Sequence, residues 1–294
     1  MLALAVVFVW GTNFVVIKWG LAEFPPFLYA FLRFLFSVAP WILFIPKPRV
    51  PWSRLAAFGV LLGAGQFGLL FLAMQHDVTP GLASLIMQVQ VFFTIGLVMA
   101  VHGERLMRPQ IFAIALAVCG MAVIGWHSVS DGGMSITLPG LAMLLCAAAA
   151  WACANLVVRN AGKVDALGFI VWSSPFALPP LLALALGFHG WPAIESALRG
   201  ATFAGWSSVG WQAIGNTLFG FGAWNWLLAR HPAATVTPSA LLVPVFGMSA
   251  SAWLLAEPLP AWKLLAAALV LGGLAINLYA GKLAALTRSR SQRR

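Results

Sequence analysis

The chemistry open to this chain is concentrated in a few side chains set inside long apolar runs. Arg33 lies deep in the run 27–45, with Tyr29 one helical turn earlier on the same face. Arginine at mid-helix in lipid costs roughly 2.5–3.5 kcal/mol on insertion scales, so it must face a polar cavity or a partner. Two roles fit it: an anchor for a substrate carboxylate, or a structural arginine capping backbone carbonyls of a neighbouring helix. Other runs carry Trp10, Thr12 and Asn13, then Gln66, Gln88 and Gln90, then Trp151 and Asn155, and finally Asn216, Phe219, Trp224 and Asn225. Amides and indoles hydrogen-bond and stack without exchanging protons near neutral pH, so they suit reversible binding rather than bond breaking. Each alone could be interhelical glue; converging at mid-depth, they outline a substrate path.

An intramembrane enzyme would need an acid, a histidine or a Ser–His pair within a run. All seven acids and five histidines fall instead in links or at run ends. Glu104 and Glu257 sit near Arg105 and Lys263, where local charge pairing accounts for them. Cys119, Cys146 and Cys153 lie in apolar runs without metal-ligand spacing, so neither a metal nor a cofactor is expected. The absence of a GxxxxGK[ST] loop argues against direct nucleotide drive. Two runs are interrupted, at Trp172-Ser173-Ser174-Pro175 and between Pro238 and Pro244. Backbone freed at such points is tolerated only beside protein or a water-filled cavity. Pro175, Pro238 and Pro244 are therefore read as hinges, with Trp172 and Ser173 beside the path.

The elements that position these groups follow from composition. The chain is 62% hydrophobic and 8% charged, with a mean hydropathy of +0.93, against about 25% charged in soluble domains. Ten spans fit, at about 2–20, 27–45, 55–75, 79–100, 109–126, 137–159, 166–188, 206–229, 234–254 and 261–281. An even number puts both ends on one side. That side collects Lys47, Arg49, Arg54, Arg105, Arg108, Arg159, Lys163, Arg230 and the tail's Lys282, Arg288, Arg290, Arg293 and Arg294. The other keeps Lys18, Arg199 and Lys263. This bias places both termini in the cytoplasm. The net charge of +10 thus reflects orientation and anionic lipid, not nucleic acid. Of the tryptophans, Trp19, Trp52, Trp126, Trp191, Trp206 and Trp262 suit an interfacial belt.

The stretch Thr79 to Trp126, shifted by 153 positions, falls without a gap on Pro232 to Tyr279, bringing Glu104 onto Glu257 and Gly120 onto Gly273. Charges are scarce, yet each copy holds one Glu in the same notch between apolar runs. An internal duplication follows. Five spans per half is odd, so the halves enter the membrane in opposite senses. The expected fold is an all-α membrane protein of ten transmembrane helices as two inverted-topology five-helix repeats, 1–130 and 131–282, with a basic cytoplasmic tail, 283–294.

Phe8 to Lys18 (FVWGTNFVVIK) resembles the first-span signature of EamA-type members of the drug/metabolite transporter superfamily, and Phe31-Leu-Arg-Phe34 resembles that family's arginine position. Ala83-Ser-Leu-Ile86 with Gly103-Glu-Arg-Leu106, and Leu242-Val-Pro-Val-Phe246 with Ala256-Glu-Pro-Leu259, resemble its fourth and ninth spans. Val91 stands where the second copy has Pro244, so the halves differ at the site. The chain most resembles the YddG-type exporters of aromatic amino acids. That resemblance implies a secondary transporter of the bacterial inner membrane, built around a central cavity and acting on small metabolites; a monomer is expected. A proton-coupled drug or metabolite exporter is the alternative within the superfamily; a passive pore competes from outside it.

Overall fold

The computed structural model describes residues 1–103, 107–130, 135–162, 164–231 and 233–291, with backbone alone for residues 102, 166, 225, 228, 229, 233, 234 and 280–291. Glu104, Arg105, Leu106, Lys163, Pro232, Arg293 and Arg294, and the side chains of Asn225, Lys282, Arg288 and Arg290, which enter the sequence reading, lie outside that description. Among the described residues every element is helical, apart from an isolated antiparallel bridge between Val78 and Ile136. Lipid offers no partner for backbone N–H and C=O, so each segment must satisfy its own. Nine helices there are long and apolar enough to cross a membrane. They are α1 (Leu2–Leu21), α2 (Pro26–Leu43), α3 (Trp52–His76), α4 (Pro80–Val101), α5 (Arg108–Ser130), α6 (Leu138–Ala161), α7 (Leu167–Gly200), α9 (Thr237–Leu254) and α10 (Ala261–Tyr279). The stretch 203–230, α8, is also helical throughout but is not one of the nine. Gln212, Asn216 and Asn225 lower its hydropathy.

Several boundaries differ from expectation. α2 leaves α-geometry at Ala39 and ends as a 3₁₀ turn, Trp41–Leu43, since Pro40 has no N–H to continue the ladder. α5 runs on to Ser130. α7 breaks at Gly190, whose φ of 73° is left-handed, and Pro192 follows; residues 191–200, read as link, are helical. The last helix continues to Ser291, through most of what was read as a tail. Pro175 and Pro238 stand in 3₁₀ turns, Ser174–Ala177 and Thr237–Leu241. Pro244 does not break its helix. It sits in the first turn of the run Leu242–Leu254, where its missing N–H costs nothing.

α3 and α8 each hold a π-helical stretch, Leu61–Gly68 and Trp211–Phe219. An offset of 150 lays Gly65-Gln66 on Gly215-Asn216. Such wide turns are rare and frequent at functional sites.

The main seams pair α5 with α10, α3 with α6, α1 with α9, α4 with α6 and α1 with α8. Exchanging the two repeats expected from the sequence would map the first on itself, α3–α6 on α1–α8, and α1–α9 on α4–α6. The α5–α10 seam is close: a Cβ on Gly120 would meet Val270 Cγ2 at 2.7 Å, and one on Gly273 the Ala113 carbonyl at 2.5 Å. Phe203, Trp253, Trp126 and Val118 are largely exposed. Lipid already suits them, so helix association rests on close packing and interhelical hydrogen bonds.

Candidate functional site

α1, α2, α3 and α8 meet at the Arg33 guanidinium, which is 1% exposed. Nη1 donates to Gln212 Oε1 at 2.5 Å and Nη2 to Thr217 Oγ1 at 3.2 Å. The Asn216 amide, with its oxygen turned to the cation as the network requires, accepts from both Nη atoms at 3.0 Å. The guanidinium carbon lies 3.6 Å from the Phe67 ring centroid. Gln212 is held in turn by Asn13, donating Nε2 to Oδ1 at 2.8 Å and accepting Asn13 Nδ2 at 3.3 Å. Thr217 Oγ1 donates to the Gln212 carbonyl five residues back. The wide π turn is what sets Thr217 beside Gln212 on the face that meets Arg33.

Taking a guanidinium out of water costs several kcal/mol. Hydrogen bonds to a charged group return about 1.5–3 kcal/mol each, and a desolvated ring face about 2. Those partners hold the arginine in place, but each is neutral, and Nε has no partner among the described atoms. The acceptors are side chains of α8, not the backbone carbonyls that a capping arginine would meet. Tyr29 is fully buried between Phe24 and Phe71, its hydroxyl 3.5 Å from the Val16 carbonyl.

A second group adjoins the first through Asn216, whose backbone carbonyl accepts the Trp10 indole at 3.2 Å. Trp10 packs at 5.2 Å from Trp224 and 5.6 Å from Phe221, between ring centroids. A third lies between α4 and α6, where Asn155 Nδ2 donates to Gln90 Oε1 at 2.8 Å and lies 3.4 Å from Thr94 Oγ1. Gln88 Nε2 reaches the Ala240 carbonyl at 3.5 Å. Trp151 is half-buried against the core.

The remaining candidates stand apart. Thr12 bonds back to the Phe8 carbonyl at 2.8 Å, and Phe219 is exposed. Gln66 is buried, its Oε1 without a partner among the described atoms. Trp172 donates its indole to the Ile45 carbonyl at 2.8 Å, tying α7 to the α2–α3 link. Ser173 bonds back to Ile170. The structure therefore gathers the predicted residues into three groups rather than one. Reading the sequence missed Gln212, Thr217, Phe67 and Thr94. Gln212 had a signal, an amide one helical turn before Asn216.

The EamA-like transporter family model matches residues 1–126 and again 138–279. The chain belongs to the EamA-like transporter family. Family members similar to it include the "Probable amino-acid metabolite efflux pump" of Salmonella typhimurium strain LT2, 39% identical over 95% of this chain and 94% of that protein. The protein of the same name in Escherichia coli K12 is 36% identical over the same shares. The "Probable terminal-alkyne amino-acid exporter" of Streptantibioticus cattleyicolor is 26% identical over 81% of this chain and 77% of its own length. A solved structure described only as "Crystal structure of protein" shares the fold, with a TM-score of 0.60 at 19% identity, covering 96% of this chain and 97% of that one.

Membership makes the chain an integral inner-membrane transporter and not an enzyme. Glu257 lies in a link, as expected, yet it is 7% exposed and its partner Lys263 is 0% exposed, 2.8 Å away. Burial pushes the Glu257 carboxyl up, but hydrogen bonds from Lys263, Ser251 and Thr79 outweigh that and hold it below the ordinary carboxylate range.

Proposed function

We propose that the chain exports amino-acid metabolites, aromatic and bulky neutral amino acids in particular, by alternating access. The moving parts are inverted five-helix halves, 1–130 and 131–282, giving ten crossings with both termini cytoplasmic. Support comes from the family model matching twice, from the seams that interchange with the halves, and from the distribution of Lys and Arg. The names of the relatives supply amino-acid metabolites as the substrate class. Flux is downhill on this reading. Among the described residues the one buried acid is Glu257, and it is committed to a lysine rather than free to load and unload a proton.

The observation that carries the site is the uncompensated charge of Arg33, bonded by neutral acceptors at the junction of four helices. A substrate carboxylate would displace the Gln212 and Asn216 oxygens and pair bidentately with the guanidinium. Trp10, Trp224 and Phe221 offer flat faces to a ring next to it. Gln88, Gln90 and Asn155 add neutral donors and acceptors on the path. In proteoliposomes, phenylalanine should compete with labelled tryptophan about tenfold better than phenylalaninamide, the worth of one charge-assisted contact. Equal competition by the amide contradicts the carboxylate site. Equal competition by alanine removes the aromatic preference.

A further inference from the structure

One face of the bundle carries the links 22–25, 77–79, 255–260 and the start of α6, and on it Glu257 is built into an unusual position. Ala256, which precedes it, has φ 52°, the left-handed region that a side chain with Cβ rarely adopts. That turn directs the Glu257 carboxylate back into the protein, onto the start of α4. There Oε2 accepts the Gly81 N–H at 2.9 Å and Oε1 accepts the Thr79 hydroxyl at 2.5 Å. Thr79 is the N-cap residue of α4, yet its side chain makes no capping bond of its own. A carboxylate from the other half of the chain does the capping instead, where the first-turn N–H groups favour negative charge. A Cβ on Gly81 would lie 2.9 Å from Glu257 Oε2, so only glycine leaves the carboxylate room.

The remaining donors come from the second half. Lys263 Nζ donates at 2.8 Å to Oε1, and the Ser251 hydroxyl donates to Oε2. The bonds thus fall into two classes: Glu257 to Ser251 and Lys263 within the second half, and Glu257 to Thr79 and Gly81 between halves. Beside the junction α4 and α9 are packed together over 80–86 and 242–254. Toward the opposite face they turn to different partners, 90–102 to α6 and 237–241 to α10 and α1. The other groups near the junction are bound elsewhere. Asp77 accepts from the Thr137 hydroxyl at 2.7 Å, and Lys18 donates to the Met74 and Gln75 carbonyls at 3.0 Å. At the offset of 153, Val98 and Gln110 stand where Ser251 and Lys263 do, and Pro232 and Ala234 where Thr79 and Gly81 do. The sequence supplies this donor set at one face only.

We propose that Glu257 is a latch that holds the transporter closed at this face in its resting state. Opening the face breaks the bonds to Thr79 and Gly81 and keeps those to Ser251 and Lys263, so the carboxylate stays charge-paired throughout the cycle. The inference rests on the alternating-access reading, and it names the contact that changes.

The test uses the full chain in lipid nanodiscs, with Cys119, Cys146 and Cys153 replaced by alanine and spin labels at His76→Cys and Ala261→Cys. Both label positions are exposed. Electron–electron distance distributions and melting temperature are measured together, without substrate and with saturating phenylalanine. Without substrate one short distance should dominate. Thr79→Val removes a between-halves bond and leaves the Lys263 pair intact, and it should raise the population at the longer distance about tenfold. Gly81→Ala should do the same by wedging the carboxylate away, and it keeps the test open if Thr79→Val fails to fold. If a longer distance appears with phenylalanine but neither variant enlarges it, the latch is wrong and alternating access stands. A fall in melting temperature with an unchanged distance ratio likewise overturns it, making Glu257 a brace within a rigid unit. One distance under every condition contradicts both the latch and the alternating-access reading.

Discussion

On the inverted repeat proposed above, the α2–α8 seam and the α3–α7 seam are counterparts, and they are held by opposite means. In the first, Arg33 enters a wide π turn and is bonded by Gln212, Asn216 and Thr217. In the second, Gly59 of α3 meets Ser173, the π stretch packs on Ser174–Ala177, and among the described residues no side-chain hydrogen bond joins the two helices. Gly59 leaves no room for a Cβ beside the Ser173 carbonyl, and Gly63 none beside Ala177. Among the described residues, the arginine of the polar seam has no acidic partner, whereas the other seam is closed by glycines in backbone contact. The two helical paths correspond, π stretches included, while their chemistry differs. On the proposed alternating-access reading, recognition would sit in one half, with the other half serving as the close-packed surface against which it moves.

The comparison breaks most completely at Arg33. Arg33→Ala should abolish transport while the protein still inserts, and Arg33→Lys should keep part of it, retaining charge but losing the bidentate geometry. Proteoliposome flux with an insertion assay checks both. A folded, active Arg33→Ala that still prefers phenylalanine to its amide would contradict the carboxylate role. Gln212→Glu sharpens the point by installing a carboxylate where the substrate's is expected. It should raise the melting temperature and lower flux about tenfold or more, as one charge-assisted contact is diverted. Unchanged flux would make Arg33 a pin between helices.

Part of this contrast was legible in the sequence. Arg33, Asn13 and Asn216 stood out because charge and amides are rare in runs of this hydropathy, and Gln90 and Asn155 because each lies inside such a run. Their grouping was not legible. Gln212 and Asn13 meet across 199 residues, and Thr217 faces Arg33 only because the turn there is π and not α. The duplicated notch was visible as Glu257 near Lys263, but not the burial of that pair or its cap on α4. Those depend on how α4 and α9 pack, which no local pattern encodes.

Smaller effects probe the glycine-closed seam and the links. Gly63→Leu should destabilise by about 1–3 kcal/mol, the cost of overpacking a close contact, and leave the preference for carboxylate over amide unchanged. A changed preference would extend the site into the α3–α7 seam. Glu23, in the α1–α2 link, accepts the Thr202 hydroxyl at 2.6 Å and the Thr202 N–H at 2.7 Å. These bonds hold its carboxyl below the ordinary range. A depressed carboxylate contributes fully above its unfolded value, about 4.3, and loses that contribution as pH falls through the lower folded value. Wild type should therefore lose slightly more thermal stability than Glu23→Gln on acidification below that range. Parallel curves would remove the assignment.

Counterflow tests the central claim most directly. Proteoliposomes loaded with unlabelled phenylalanine and placed in trace labelled phenylalanine, with no pH or sodium gradient, should take up label transiently above the outside concentration and then lose it as the gradient runs down. Arg33→Ala vesicles should not. Label that merely equilibrates, at the same rate whether or not the vesicles are preloaded, would mean a pore, and would contradict alternating access between the two halves.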